Sequence, residues 1–229
     1  MCGIVGVVSS DHEEIIDQKL IKTMTDLLAH RGPDGSGIYQ DNGVSLGHRR
    51  LSIIDVEGGH QPMASSDGRI VITYNGEIYN FKELRKELQT LGCNFQTKSD
   101  TEVIIHAYRR WGIQAVHRFN GMFAFGLWDR VERRLLLVRD RMGVKPLYWA
   151  KVGRHLVFAS EVKSILAYPG FERRANLDAI SSYLTFRQAV WDLTFFHGIE
   201  KLLPGHYLIY QNGDIKTKCY YELDINEKY

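Results

Sequence analysis

Cys2 could combine two reactive groups on one residue. It directly follows Met1, so removal of Met1 would leave Cys2 with both a thiol and a free α-amine. An α-amine has an ordinary pKa of about 7.7–8.0 and can accept a proton near neutral pH. A thiol that has lost its proton to such a base is a strong nucleophile. Cys2 is therefore a candidate nucleophile, although its position also fits a small buried cysteine behind a start codon.

Arg50 and Asp100 could bind two opposite charges on one substrate. Arg50 lies beside a segment rich in β-branched residues, and a guanidinium can hold a carboxylate through two hydrogen bonds. The alternative for Arg50 is a solvated surface ion pair. Asp100 lies between Ser99 and Glu102, so it could hold a substrate ammonium group or simply belong to a helix-capping box.

Asn75 and Gly76 could stabilise a developing oxyanion. They follow the apolar run 70–74 directly. A side-chain amide and a neighbouring backbone N–H are a natural pair of donors for the oxygen of a tetrahedral intermediate. The alternative is that Asn75, Gly76 and Glu77 form a plain β-turn.

Composition limits the class of protein. The chain has 229 residues, of which 44% are hydrophobic and 24% charged, and its net charge is +2. These values are typical of a globular protein without a strong preference for nucleic acid or membrane. We expect one domain over residues 1–229, in the cytoplasm, with no signal peptide and no membrane span. The three cysteines are far apart and form no disulfide framework, and neither they nor the histidines have metal-binding spacing.

The pattern of apolar and turn residues predicts a mixed fold. Residues 3–8 read as a buried strand with glycines where the backbone must pass close to a neighbour. Further elements are predicted as follows: a helix over 14–30; strands near 36–40, 43–48, 50–54 and 70–74; helices capped by Asn80 and Ser99; strands over 122–129, 134–140, 146–151 and 156–159; short helices near 161–168 and 177–184; and strands over 206–211 and 215–222. Because strands cluster in runs, the sequence favours an α+β fold with antiparallel sheets.

Ten segments, taken in order, resemble the glutaminase domain of class II glutamine amidotransferases, the N-terminal-nucleophile type, and in particular the asparagine synthetase branch. The segments that carry the resemblance are Met1–Gly6, His30–Asp34, His48–Asp55, Asn75–Asn80, Ser99–Glu102, Gly121–Phe125, Arg139–Asp140, Gly143–Tyr148, Ala159–Glu161 and Pro204–Tyr207. The resemblance covers nearly the whole chain and implies a four-layer αββα sandwich of two antiparallel sheets between helices.

The resemblance also implies roles for eight residues. Three would be catalytic: the nucleophile Cys2 and the oxyanion-hole residues Asn75 and Gly76. Five would bind substrate: Arg50 the α-carboxylate, Asp100 the α-ammonium, Glu77 the same polar end, and Ile53 and Ile54 through backbone groups. Cys2 would attack the side-chain amide of L-glutamine and yield glutamate and ammonia through a thioester.

The partners expected for this chain depend on a motif that its sequence does not contain. Asparagine synthetases activate their acceptor with ATP in a second domain, and its Ser-Gly-Gly-x-Asp-Ser loop does not occur here. The resemblance therefore implies no cofactor for this chain, with ATP and magnesium confined to a C-terminal synthetase domain or a separate synthetase subunit. The sequence does not identify the acceptor of the ammonia, and it leaves open whether the protein forms a homodimer. Segment 187–196 lacks the proline-rich character expected there.

Other functions compete with this interpretation. If the protein hydrolysed a different amide, nothing would explain the presence of Arg50 and Asp100. If it were a catalytically silent binding domain, it would not need the whole set of site residues. Nucleic-acid binding could be argued from five arginines, but alternating carboxylates and a net charge near zero favour a salt-bridged surface. These arginines are Arg130, Arg133, Arg134, Arg139 and Arg141.

Overall fold

The computed structural model describes residues 1–55 and 57–223. In chain order, the elements in this part of the chain are β1 (Gly3–Ser9), α1 (Gln18–Asp26), β2 (Gly35–Asp41), β3 (Val44–Arg50), β4 (Met63–Ala64), β5 (Ile70–Ile78), α2 (Phe81–Thr90), α3 (Asp100–Trp111), a 3-10 helix (Gly112–Arg118), β6 (Gly121–Asp129), β7 (Arg134–Arg139), β8 (Tyr148–Val152), β9 (His155–Ala159), α4 (Val162–Leu166), α5 (Leu177–Phe186), β10 (Glu200–Lys201), β11 (His206–Gln211) and β12 (Asp214–Cys219).

Two six-stranded sheets form the centre of the molecule. The first sheet has the strand order β10-β8-β9-β1-β3-β2, and the second has the order β12-β11-β7-β6-β5-β4. Neighbouring strands are antiparallel throughout both sheets. The predicted α+β fold with antiparallel sheets is confirmed.

Three apolar layers hold the sheets and helices together. Between the sheets, residues such as Ile4, Leu46 and Phe158 pack against the inner face of the second sheet. Helices α1 and α4 cover the outer face of the first sheet, and α2 and α3 cover that of the second. This is the expected order of helices, sheet, sheet, helices. In β1, successive residues point alternately to the helices and to the other sheet, so its run of apolar residues is buried on both faces.

A polar contact also joins the two sheets near the site described below. The Thr73 hydroxyl on β5 donates to Gly47 O on β3 at 3.1 Å, and His48 Nδ1 lies 3.1 Å from the same hydroxyl oxygen. Burial and the nearby Arg50 lower the pKa of His48 to about 3. His48 is therefore a neutral link between the sheets.

Helix α1 and the predicted strand over 50–54 differ most from the structure. Helix α1 begins after Asp17 and not at residue 14, because the Asp17 carboxylate accepts a hydrogen bond from Lys19 N at the start of the helix. The predicted strand over 50–54 is wrong: β3 ends at Arg50, and the next two backbone N–H groups donate to side chains. Leu51 N donates to Cys2 Sγ and Ser52 N to Asp34, which ends the ladder.

The segment Asn75-Gly76-Glu77 is not a β-turn. It lies within β5, which extends four residues beyond its predicted end and pairs with β6 along its whole length. Asn80 precedes α2 without capping it, because its side chain contacts the backbone of Arg118 and Asn120. Ser99 does cap α3, since its hydroxyl accepts from Thr101 N.

The basic residues considered for nucleic acid lie in ion pairs or hydrogen bonds. Arg130 pairs with Asp41 at 2.7 Å, and Arg133 pairs with Glu13 at 3.8 Å. Arg134 donates to the Tyr108 hydroxyl. None of the helices in the described ranges has the length and apolar character needed to cross a bilayer.

Candidate active site

A cavity of about 200 Å³ opens at the edge where the two sheets meet. All eight residues predicted for the site line it, together with nine others. Cys2 and Arg50 come from the first sheet and its N-terminal extension; Asn75, Gly76 and Glu77 come from β5 of the second sheet. Sequence positions up to about 100 residues apart therefore share one small cavity.

Cys2 is half-buried beside the end of β3. Leu51 N donates to Cys2 Sγ at 3.4 Å, and Leu51 O lies 3.6 Å from the same sulfur. The carbonyl of Cys2 accepts from Arg31 Nε at 2.9 Å. Burial raises the pKa of the Cys2 thiol, and the Leu51 hydrogen bond, the terminal amine, Arg50 and Arg31 partly offset that rise. The thiol is thus fixed in place and needs a base or a nearby cation to ionise.

Arg50 is almost fully buried at the end of β3. One guanidinium nitrogen donates to Asp55 O at 2.6 Å and lies 3.4 Å from Ile54 O. A Cβ at Gly59 would lie 2.6 Å from that nitrogen, so the loop can pass over the guanidinium only with glycine there. These contacts bring Ile54, Asp55 and Gly59 around the arginine at the cavity wall.

Asn75 has a buried amide nitrogen that makes no hydrogen bond within the described residues. The residue is 1% exposed, and its Nδ2 is the atom without a partner. Buried polar groups are nearly always hydrogen-bonded, so an unpartnered donor in a cavity wall is a group kept for a ligand. Next to it, a Cβ at Gly76 would lie 2.3 Å from Met122 O, which explains why glycine is required.

Asp100 begins α3 and is buried. Its Oδ2 accepts from the Tyr74 hydroxyl at 2.7 Å and from Ile78 N at 3.0 Å. Burial raises the pKa of Asp100, the two hydrogen bonds lower it in part, and nearby Glu77 raises it further. A cation in the cavity would favour the ionised carboxylate.

Glu77, Ile53 and Ile54 complete the predicted set. Glu77 is half-buried on β5, and its carboxylate has no hydrogen bond or ion pair within residues 1–55 and 57–223. Ile53 is 74% exposed at the rim. The contribution of the two isoleucines to the cavity therefore fits backbone groups better than buried side chains.

The sequence interpretation missed several lining residues. Tyr74 and Gln61 are linked, because Gln61 Oε1 accepts from Tyr74 N at 2.7 Å. Lys145 is 5% exposed and lines the same cavity. Lys145 lies in Gly143–Tyr148, one of the segments that carry the resemblance. The signal that could have identified it is a lysine in a segment of otherwise apolar and turn-forming residues. Within the described ranges, no group of histidine, cysteine and carboxylate residues could hold a metal ion.

The comparisons with known proteins agree on one family. A family model described as "Glutamine amidotransferase domain" matches residues 1–221. The chain is 38% identical over 227 residues to asparagine synthetase [glutamine-hydrolyzing] 3 of Bacillus subtilis, covering 98% of this chain and 37% of that protein. It is 35% identical over 247 residues to the amidase chry2 of Gibberella zeae, covering 100% of this chain and 35% of that protein. The chain therefore spans just over a third of the length of these curated relatives.

Solved structures agree on the fold. A glutamine phosphoribosylpyrophosphate amidotransferase from B. subtilis, solved with ADP and GMP, superimposes with a TM-score of 0.69 at 21% identity, over 96% of this chain and 49% of that one. A glutamine aminotransferase class-II domain protein from Silicibacter pomeroyi gives a TM-score of 0.51 at 12% identity, over 98% and 100% of the two chains.

Proposed function

Because this chain belongs to the glutamine amidotransferase domain family, of class II, we propose that it hydrolyses the side-chain amide of L-glutamine to glutamate and ammonia. The observation that carries the proposal is the unpartnered, buried amide nitrogen of Asn75 in the same cavity as the Cys2 thiol. A nucleophile and a vacant oxyanion donor in one small cavity are what acyl transfer through a thioester requires.

The charges around the cavity fit an α-amino acid. Arg50 supplies a guanidinium for the α-carboxylate, and Asp100 supplies a buried carboxylate for the α-ammonium. Glu77 adds a second carboxylate without a partner among the described residues. Ile53 and Ile54 contribute backbone groups at the rim. With both ends of the amino acid held, the side-chain amide is directed at the sulfur.

The reaction then has two steps. The α-amine of Cys2, free after removal of Met1, takes the thiol proton, and the thiolate attacks the amide carbon. Asn75 Nδ2 and Gly76 N donate to the oxyanion, the α-ammonium of Cys2 gives its proton to the leaving nitrogen, and ammonia departs as the thioester forms. Water cleaves the thioester, and the sulfur returns to the thiol as glutamate leaves.

The ammonia would serve an acceptor outside this chain. The chain matches just over a third of the length of relatives named glutamine-hydrolysing asparagine synthetases. We infer that a synthetase domain or subunit, holding ATP and magnesium, activates the acceptor and consumes the ammonia. A catalytically silent domain is the main competitor, and a hydrolase of another amide is the next.

The test is glutamate release from L-glutamine, measured on protein whose intact mass shows that Met1 is gone. We expect release by this protein, loss of release in Cys2→Ala, and normal release in Cys219→Ala, which removes an exposed thiol far along the chain. Removing one oxyanion donor with Asn75→Ala should lower turnover about 10²–10³-fold. Release that survives Cys2→Ala would contradict the mechanism. Failure to release glutamate, in folded protein with or without the synthetase part, would favour a silent domain.

A further inference from the structure

Lys145 occupies a position that buried charges build for it. Its backbone N–H donates to Asp140 Oδ2 at 3.0 Å, and its carbonyl accepts from Arg139 Nε at 2.8 Å. Asp140 is fully buried and also accepts from the backbone N–H groups of Met142 and Val144. The 140–145 loop therefore wraps around a single carboxylate, which fixes where the Lys145 side chain begins.

The same carboxylate ties this loop to the oxyanion strand. Asp140 Oδ2 accepts from Phe123 N at 3.2 Å, and Phe123 is the partner of Gly76 in the ladder between β5 and β6. Lys145 is thus held relative to Asn75 and Gly76 by the sheet itself.

Within residues 1–55 and 57–223, no carboxylate lies within 4.0 Å of the Lys145 ammonium. The residue is 5% exposed and lines the cavity with Cys2 and Glu77. Among the described residues, no hydrogen bond or ion pair within 4.0 Å involves its Nζ. Lysine is almost never buried without a partner, and a buried unpaired charge is costly. A lysine held in this way is expected to meet an anion that forms during the reaction.

One anion that forms before the thioester remains unassigned. Under the proposed function, Arg50 takes the substrate carboxylate, and the oxyanion lies between Asn75 and Gly76. The Cys2 thiolate is the other negative charge at this stage, since the γ-carboxylate of glutamate arises only when water cleaves the thioester. Lys145 and the Cys2 thiol line the same cavity of about 200 Å³, which places each side chain within reach of the other's charge. In keeping with that placement, burial and Arg31 lower the pKa of Lys145, whereas Asp140, Cys2 and Glu77 raise it.

We propose that Lys145 is a positioning residue whose ammonium stabilises the Cys2 thiolate. It keeps its own protons throughout, and the thiol proton still goes to the α-amine. The inference rests on the proposed role of Cys2 as the nucleophile. A cation near a thiol in a cavity of low polarity shifts the equilibrium toward the thiolate, which increases the fraction of enzyme ready to attack.

The test is the pH profile of Cys2 alkylation by iodoacetamide in the absence of glutamine, followed by peptide mass spectrometry. All variants are compared in one N-terminal state. In Lys145→Met, we expect the midpoint of the pH profile of Cys2 alkylation to rise by about 0.5–1 pH unit, so that the rate of alkylation at pH 7 falls about three- to tenfold. Lys145→Arg should restore the wild-type profile, because it restores the charge.

Matched controls keep the result interpretable. Lys201→Met removes another partly buried lysine, whose Nζ donates to Ala189 O, and should leave the profile unchanged. The alkylation rate of exposed Cys219 is an internal reference for the activity of the reagent. Half-buried Cys93 reports unfolding, because unfolding would speed up its alkylation. Lys145→Gln, which keeps a polar head, replaces Lys145→Met if that variant unfolds. The proposal would be overturned if Lys145→Met or Lys145→Gln, which lack the positive charge, kept the wild-type pH profile of Cys2 alkylation. A chain without glutaminase activity would still report the shift.

Discussion

Asp100 is a residue at which the proposed substrate binding and stability would oppose each other. Its carboxylate is buried, and burial is the largest cause of its raised pKa. For an acid with a folded pKa above its unfolded value, the folded state binds more protons in the intervening pH range, so stability falls as pH rises through that range. The ionised form of Asp100 therefore lowers the stability of the protein without substrate.

Asp100→Asn is predicted to move stability and activity in opposite directions. The asparagine oxygen can still accept from the Tyr74 hydroxyl and Ile78 N, while the buried charge disappears. We expect an unchanged or higher midpoint of thermal unfolding at pH 7 and a KM for L-glutamine raised at least tenfold. Urea or heat denaturation and steady-state kinetics check the two parts. A variant that binds glutamine normally would remove Asp100 from the ammonium site.

Eight of the residues that line the cavity could be predicted from the sequence, and the ones that were missed have a physical reason. Cys2, Arg50, Asn75 and their companions occur in segments with a recognisable order. Lys145 escaped because its importance depends on burial and on the absence of a partner among the described residues, and neither property is visible in one sequence.

At the scale of elements, Glu161 joins the loop after α1 to the start of α4. Its Oε1 lies 2.9 Å from both His30 Nε2 and Arg31, and its Oε2 lies 3.2 Å from Lys163. Burial alone would raise the pKa of Glu161, but the hydrogen bonds from these three residues lower it to about 2. Arg31 in turn donates to Cys2 O, so this cluster supports the backbone of Cys2.

The pKa of Glu161 predicts a pH-dependent stability. Because the folded value of about 2 is below the unfolded value of about 4.3, the contribution of Glu161 is complete above about pH 4.3 and is lost as pH falls toward 2. Glu161→Gln should therefore lower the unfolding midpoint by a constant amount at pH 5–8, and the gap should narrow between pH 4.3 and 3. Glu87→Gln, which removes an exposed pair with Arg118, should have little effect at any pH. A gap that does not narrow would contradict the assignment.

Phe158 fixes the spacing between the two sheets. A Cβ at Gly6 on β1 would lie 2.3 Å from its ring, and one at Gly126 on β6 would lie 2.5 Å from it. The ring therefore lies between two glycines from opposite sheets. Phe158→Ala should lower the free energy of unfolding by about 3–5 kcal/mol, measured by urea denaturation. Phe186→Ala, at a side chain that is 65% exposed, should change it by less than about 0.5 kcal/mol. A loss under 1 kcal/mol at Phe158 would mean that the sheets close the gap.

The bounds of elements were predicted less well than their order. The predicted helix over 14–30 was too long because a local hydrogen bond at Asp17 sets its start. The strands β4 and β10 have two residues each and depend on a neighbouring strand, so a single sequence has no periodicity that would reveal them.

At the scale of the whole molecule, the site depends on both sheets being packed together. Arg50 belongs to the first sheet, Asn75 to the second, and Asp100 to a helix outside the second. The layered architecture was predictable, because buried strands and amphipathic helices alternate in runs and the resemblance supplies their arrangement. Which side chains meet at the edge between the sheets depends on register, and register is set by packing.

A ligand that contacts both sheets should stabilise the whole protein. Binding only to the folded state at 100 times Kd adds about 2.7 kcal/mol, which corresponds to a rise in Tm of about 5–10 °C for a domain of this size. We expect this shift for the Cys2→Ala variant, which cannot turn over its ligand, with L-glutamine and not with D-glutamine. Adding Arg50→Ala should abolish the shift, whereas adding Arg154→Ala, at an exposed arginine, should keep it. Equal shifts with both enantiomers, or a shift that survives Arg50→Ala, would mean that the cavity does not recognise the α-amino acid end of glutamine, and the charge assignment at Arg50 would fail even if glutamate release were observed.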